Sequence, residues 1–197
     1  MPDTSAEYHR LHALAGEWVG DDTLHPSPWN EARGHATTEV VARLAFDGGV
    51  IVVDETRARG DGVERVHVVF GFDAHAGRFV LDRFPAPDPA WQPTAPALGG
   101  WDGETLTFLQ DTPSGALRYQ YAFRSPDYYT FTLSYWESPR GWRTALDGTY
   151  HRRTPDRPEE YRHQADAIAR TYLAHGAPPE QAEQEAWAVV LQLHRRA

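Results

Sequence analysis

No cysteine occurs among the 197 residues, which excludes a disulfide framework, thiolate catalysis and cysteine-ligated zinc or iron–sulfur centres. No apolar run approaches the length needed to span a bilayer, and the opening segment "MPDTSAEYHR" lacks the apolar stretch of a secretory signal. An excess of basic charge is also missing. The formal net charge is −9, which argues against nucleic acid or an anionic membrane as partner. A cytoplasmic protein is the expectation. Familiar catalytic signatures are absent as well: there is no Gly-x-Ser-x-Gly elbow, no phosphate-binding loop, no His-Glu-x-x-His and no dinucleotide-binding glycine pattern.

What the chain has in quantity is aromatic side chains, with 7 Trp, 9 Tyr and 8 Phe, concentrated in its middle. Large aromatics dominate both cores and ligand pockets. The segment "TSAE" at Thr4–Glu7 matches a capping box, and Tyr8, Leu11, Leu14 and Ala15 follow at helical spacing, which predicts a short helix over 5–14. From Gly16 to about His151 the texture changes to β-branched and aromatic runs punctuated by turns such as "RGDGV", "DAHAGR", "WDGE", "DTPSGA" and "SPRG". Strands are expected near 16–24, 33–44, 49–59, 64–73, 77–84, 97–101, 105–110, 116–125, 128–136 and 142–151. The run "FPAPDPAWQPTAP" (84–96) carries five prolines and cannot pair as a central strand. It reads as the one long loop, placed with Trp91 and Trp101 near an entrance.

After "RRTPDRP" the period becomes helical. Tyr161, Ala165, Ile168, Ala169, Tyr172 and Leu173 form one stripe, and Ala182, Ala186, Val189, Val190 and Leu193 a second, with "HGAPPE" as the turn between them. The expected organisation is a β-barrel with its N-terminal helix over 1–153 and an αα-hairpin over 154–197. The hairpin's apolar stripes, with Trp187, call for a partner surface, either the barrel itself or a second copy in a homodimer.

About ten short strands joined by hairpins imply an up-and-down antiparallel barrel, which removes the exposed edges of an open sheet. The order "LHALAGEWVG", "FDGGVIVVDET", "GFDAHAGRFVLDRF", "GETLTF" and "LDGTYHRR" over residues 9–152 resembles a bacterial lipocalin-like (calycin-type) family of unknown function. That resemblance implies an N-terminal helix plugging one end and the Trp of Gly-x-Trp packed across it. It supplies no catalytic residues, and the C-terminal hairpin departs from the family pattern.

Hairpin register assigns the lumen, because directly opposed residues share a face. A two-residue turn at Asp61-Gly62 would set Glu55 against Val68, Val53 against Phe70 and Ile51 against Phe72. A loop at Ala74–Gly77 sets Phe72 against Phe79, Phe70 against Leu81 and Val68 against Arg83. A loop over Thr112–Gly115 sets Phe108 against Tyr119 and Leu106 against Tyr121. A turn at Ser125–Asp127 sets Phe123 against Tyr129 and Tyr121 against Phe131. A loop at Ser138–Gly141 sets Tyr135 against Thr144, Leu133 against Leu146 and Tyr129 against Tyr150. On the three strands around Val68 that face is apolar except for Glu55 and Arg83, and the expected lumen is a cage of Phe and Tyr with few charges.

The leading functional reading is therefore a pocket for a small apolar or aromatic molecule, bound without a cofactor. Its candidate residues are Glu55, Phe70, Arg83, Trp101, Phe108, Tyr119, Tyr121, Tyr129, Phe131 and Tyr150. The alternative is an enzyme of the same fold, with Glu55 as acid–base group and Arg83 stabilising negative charge. A third reading is a filled barrel that acts through protein contacts, Glu55 and Arg83 forming a buried ion pair. No metal is expected, since His9 and His12 at i, i+3 have no third ligand in sight. His151, in "TYHRR", occupies the place of an axial ligand in haem-binding barrels, but the opening "GEWVGDDTLHP" does not match theirs, and His151 is expected to end the last strand in solvent. His67 is expected on the outer face. Asp21 and Asp22 are adjacent on a strand and so face opposite sides.

Overall fold

Side chains alternate between buried and exposed along ten successive segments, the period-2 signature of strands with one face on a core. A computed structural model describes residues 10–46, 49–60, 62–85, 95–113, 115–153 and 162–194. The strands are β1 (Gly16–Leu24), β2 (Gly34–Ala45), β3 (Val50–Arg59), β4 (Gly62–Asp73), β5 (Arg78–Pro85), β6 (Ala97–Asp102), β7 (Thr105–Thr112), β8 (Gly115–Ser125), β9 (Tyr128–Glu137) and β10 (Gly141–Arg152). Each pairs antiparallel with its chain neighbours, and β1 closes against β10. The result is the closed ten-stranded up-and-down barrel expected from the sequence. The proline-rich run lies largely outside the described residues, Trp91 included. Among the described residues, the β5–β6 seam beside it pairs Phe79–Leu81 with Ala97–Gly99 alone.

Most registers match the sequence reading. Phe72 faces Phe79 and Val68 faces Arg83. Phe108 faces Tyr119 and Leu106 faces Tyr121. Tyr121 faces Phe131 and Phe123 faces Tyr129. Two differ. In the β3–β4 hairpin Arg59 pairs with Gly62, so Glu55 opposes Val66, Val53 opposes Val68 and Ile51 opposes Phe70. The turn thus begins at Gly60, one position earlier than expected, with Gly60 at φ +55°. Sliding a two-residue turn by one position shifts the pairing by two, so every side chain keeps its face. In β9–β10, Tyr135 opposes Arg143 instead of Thr144, because Glu137 and Gly141 bracket a tighter loop. A bulge between Thr144 and Leu146 then restores the expected pairs Leu133–Leu146 and Tyr129–Tyr150.

The N-terminal helix falls mostly outside the described residues. From Arg10 the chain is helical and tightens into a 3₁₀ turn at His12–Leu14. Leu11 and Leu14 are buried in the barrel core, and Trp18 lies fully buried with its indole N–H donating to Leu14 O at 2.9 Å. Arg152 completes this closed end. Its guanidinium lies 4.1 Å from the Trp18 ring centre and donates to Ala15 O at 2.6 Å and Ala13 O at 3.2 Å. Gly16 is what admits it: its φ is +128°, and a Cβ there would fall on Arg152 Nη1. The glycine of Gly-x-Trp is thus a space requirement and a backbone requirement together. Gly16→Ala should cost about 2 kcal/mol of unfolding free energy, from backbone strain and displacement of Arg152. An unchanged urea midpoint would refute this account of the motif.

The chain folds as two compact units, Met1–Arg153 and Thr154–Ala197. In the second, α1 (Arg162–Ala174) and α2 (Pro179–His194) form a hairpin around Ala165, Ile168, Trp187 and Val190. Gly176, at φ +87°, ends α1 in a Schellman arrangement: Ala177 N–H donates to Tyr172 O and Gly176 N–H to Leu173 O. Leu173, expected in the stripe, is exposed, and Tyr161 lies outside the described residues.

Candidate functional site

The barrel's two ends differ because its side chains stack in layers of unequal size. Toward the plugged end, inward positions carry Trp18, Phe70, Phe108, Tyr121, Phe123, Tyr129 and Phe131. These rings pack edge-to-face and offset, as with Phe70–Tyr121 at 5.4 Å, Tyr121–Phe131 at 4.8 Å and Trp18–Tyr129 at 4.8 Å between centres. They fill that half of the lumen. At the other end the inward positions are Leu24, Val66, Leu117, Leu133 and Leu146, which do not reach across. A cavity of about 820 Å³ opens there, within the range typical of small-molecule pockets. Trp29 stands at its rim, packed edge-on to Tyr135 at 5.7 Å. Arg59 donates to Asn30 Oδ1 at 2.7 Å and ties the β1–β2 loop to the β3–β4 turn beside the mouth.

Two ion pairs set the chemistry of the cavity floor. Arg57 and Arg83 line the cavity, whereas their carboxylate partners Asp22 and Glu55 stand behind them. Arg83 Nη2 donates to Glu55 Oε2 at 3.0 Å. Burial opposes the Arg83 charge, yet the neighbouring Glu55, together with Tyr121 and Tyr119, more than reverses this and holds the guanidinium protonated. Tyr119 lies under Arg83, 5.6 Å from its guanidinium carbon, and donates its hydroxyl to Gln110 Oε1 at 2.7 Å. Gln110 in turn donates to Ala95 O.

The second pair belongs to a denser cluster. Asp22 is 1 % exposed and accepts from Thr38 Oγ1 at 2.6 Å, Arg57 Nε at 2.8 Å and Tyr150 OH at 2.7 Å. Arg57 also donates through Nη1 to the half-exposed Glu64 at 3.1 Å. Burial lowers the Arg57 pKa, and the charge and hydrogen bond of Asp22 more than restore it. Gly148 makes the space, since a Cβ there would fall on Asp22 Oδ1. Such a fully satisfied carboxylate is a structural anchor, with Arg57 held rigidly at the cavity wall.

The charge content of the lumen adds to the expected cage. Beyond Glu55 and Arg83, Asp22 and Arg57 also point inward and are buried. Their alternation was readable: Trp18, Gly20 and Asp22 share one strand face, as do Glu55 and Arg57. A glycine at the interior positions Gly20 and Gly148 was a further signal of a close approach.

Of the ten candidate residues, Arg83 and Tyr119 line the cavity. Phe70, Phe108, Tyr121, Tyr129, Phe131 and Tyr150 pack in the filled half, and Glu55 sits behind Arg83. Trp101 is at the plugged end, packed on Phe123 at 5.5 Å with the Arg10 guanidinium 4.3 Å from its ring centre. That corrects its expected place near the entrance: β6 starts at the proline-rich run and has crossed the barrel by Trp101. His67 bonds Asp54 on the outer face, and His151 stacks on Tyr128 in an exposed position. His9 lies outside the described residues, among which no group of three or more His, Asp or Glu side chains converges. No helix among them is long and apolar enough to cross a membrane.

A closed ten-stranded antiparallel barrel, plugged at one end and hollow at the other, is a lipocalin-like barrel. No family profile matches the chain, and no curated protein matches it. Solved structures do. The S-type phycobiliprotein lyase CPES from Guillardia theta is 12% identical, with 77% of this chain and 93% of that one covered and a TM-score of 0.54. The protein Rv2717c from M. tuberculosis is 14% identical, with 78% and 99% covered and a TM-score of 0.51. At these identities the likeness establishes the fold.

Proposed function

We propose that the chain binds a small, predominantly apolar molecule in the cavity at the open end of the barrel, as a member of the bacterial lipocalin-like family it resembles in sequence. The observation that carries this reading is the division of the lumen. The rings fill one half, and the other half keeps about 820 Å³ lined by Leu24, Val66, Leu117, Leu133 and Leu146. A barrel serving only as a scaffold for protein contacts has no reason to leave such a space unfilled, because cavities cost stability. The likeness to a phycobiliprotein lyase supports the barrel as a working scaffold. The acid–base reading of Glu55 gains no support: its carboxylate is engaged by Arg83 and is not part of the cavity lining. A cytoplasmic setting belongs to the same proposal, in keeping with a chain free of cysteine.

Titration with the uncharged dye N-phenyl-1-naphthylamine tests the site. Saturable fluorescence enhancement is expected for the unaltered protein, and Leu133→Trp, which places an indole in the cavity, should weaken binding at least tenfold. Enhancement that is absent, or that ignores the substitution, would reject the cavity as the binding site.

A further inference from the structure

The polar node on the cavity floor has more donors than acceptors. Arg83 carries five N–H groups in a fixed fork, and it makes one hydrogen bond, to Glu55, among the described residues. Its Nη1 is buried without an acceptor there. One layer below, the Tyr121 hydroxyl is likewise buried with no partner among the described residues. The Tyr119 hydroxyl between them is turned to Gln110. Native interiors seldom leave such donors without acceptors, and Arg83, unlike Tyr121, is part of the lining of the pocket, where Leu24, Val66, Leu117, Leu133 and Leu146 stand beside the polar Arg57, Arg59, Glu64 and Gln110.

The charge balance narrows what completes the node. Glu55 lies 3.0 Å from Arg83 and cancels most of its field toward the cavity, while leaving its remaining N–H groups unused. Two strands away, on β3, Arg57 is held between Asp22 and Glu64, and both of those carboxylates already accept from it. An anionic ligand group would therefore leave water to meet guanidiniums that are already neutralised, close behind which stand two carboxylates. A carbonyl oxygen meets the same donors without that loss of hydration.

We infer that the cavity takes an uncharged ligand with an apolar body and a carbonyl-type acceptor at its inner end, received by Arg83 on the cavity floor. The inference rests on the reading of the cavity as a binding site and adds the chemistry of what enters it. Arg83 fixes orientation: the carbonyl goes in first, and the apolar body lies against Leu117, Leu133 and Leu146 toward Trp29 at the mouth.

Three probes of nearly one shape separate the outcomes: 2-ethylnaphthalene, 2-acetylnaphthalene and 2-naphthoate, each titrated calorimetrically into the full chain at pH 8. The acetyl compound should bind at least tenfold more tightly than the ethyl compound and no more weakly than the carboxylate. In the double variant Glu55→Met/Arg83→Met, which removes the donor together with its counter-charge, the acetyl-over-ethyl preference should fall to near unity while 2-ethylnaphthalene still binds. Equal binding of the acetyl and ethyl probes to the unaltered protein would overturn the inference and leave the binding-site reading standing. Tightest binding of 2-naphthoate would overturn the uncharged assignment. No binding of any probe would overturn the binding-site reading itself. Because the probe comparison uses the unaltered protein, it decides the matter even if the double variant fails to fold.

Discussion

Asp22→Asn should destabilise the barrel by about 3–5 kcal/mol, the range expected when one partner of a buried ion pair is removed and the other is left charged. The substitution keeps the size and most of the shape of the side chain, so the effect isolates charge. Asp22 is buried, receives three donors from three other strands, and occupies the space that Gly148 leaves by lacking a Cβ. Its loss strands the Arg57 guanidinium, whose remaining partner Glu64 is half-exposed and screened by solvent. The Tyr150 hydroxyl would also face an amide able to turn either its oxygen or its nitrogen toward it. Guanidinium denaturation of the single variants Asp22→Asn and Arg57→Met and of the double variant completes a thermodynamic cycle. The double variant should recover much of the loss, because no unpaired charge remains. A penalty below about 1 kcal/mol for Asp22→Asn would show that the cluster is solvated in the folded state and would undo the account of Arg57 as a fixed wall of the cavity.

The parts of the fold that were legible in the sequence are those whose physics is local. The pairs Phe108–Tyr119 and Phe70–Leu81 follow from the lengths of short loops, and an error in the placing of such a loop is forgiven when its length is right. That is why Glu55 and Arg57 face the lumen although the β3–β4 turn lies one residue earlier than expected. The Thr144–Leu146 bulge was not legible, because nothing in "GWRTALDGTY" marks where an extra residue is absorbed. The site was harder for a different reason. Asp22, Thr38, Arg57 and Tyr150 come from β1, β2, β3 and β10 and meet only once β1 has closed against β10. Residue type gave the aromatic cage, but which half of it is filled depends on side-chain volumes summed across every strand. Trp101 shows the same limit, since its neighbours Arg10 and Phe123 lie far from it in sequence.

That filled half makes the protein's alkaline limit a consequence of its core. Stability should be flat to about pH 10 and then fall steeply, through the ionisation of Tyr119, Tyr121, Tyr129 and Tyr150. Burial pushes each of these hydroxyls above the ordinary phenol value. Burial is reinforced at Tyr129 by the stacked Tyr150 ring, 4.7 Å away and 2° from parallel, and at Tyr150 by the charge of Asp22. For a group whose pKa is raised by folding, the native state holds the proton more tightly than the unfolded chain. Below the unfolded value both states are protonated and the full stability is present. Above it the unfolded state gains by ionising, and native stability declines by about 1.4 kcal/mol per pH unit for each such group. Four groups acting together give a slope approaching about 5 kcal/mol per unit, enough to unfold a barrel of ordinary stability within about two units. The chain contains no lysine, and all 19 of its basic side chains are arginines, which stay protonated throughout this range. The alkaline transition is therefore a tyrosine transition. A share of the phenolate absorbance at 295 nm should appear only together with the loss of near-ultraviolet circular dichroism. Tyr129→Phe should remove about a quarter of that share and lower the slope in proportion. Phenolate absorbance that is complete before the fold is lost would mean that these hydroxyls reach water in the native state, and that the half of the barrel described as filled admits solvent.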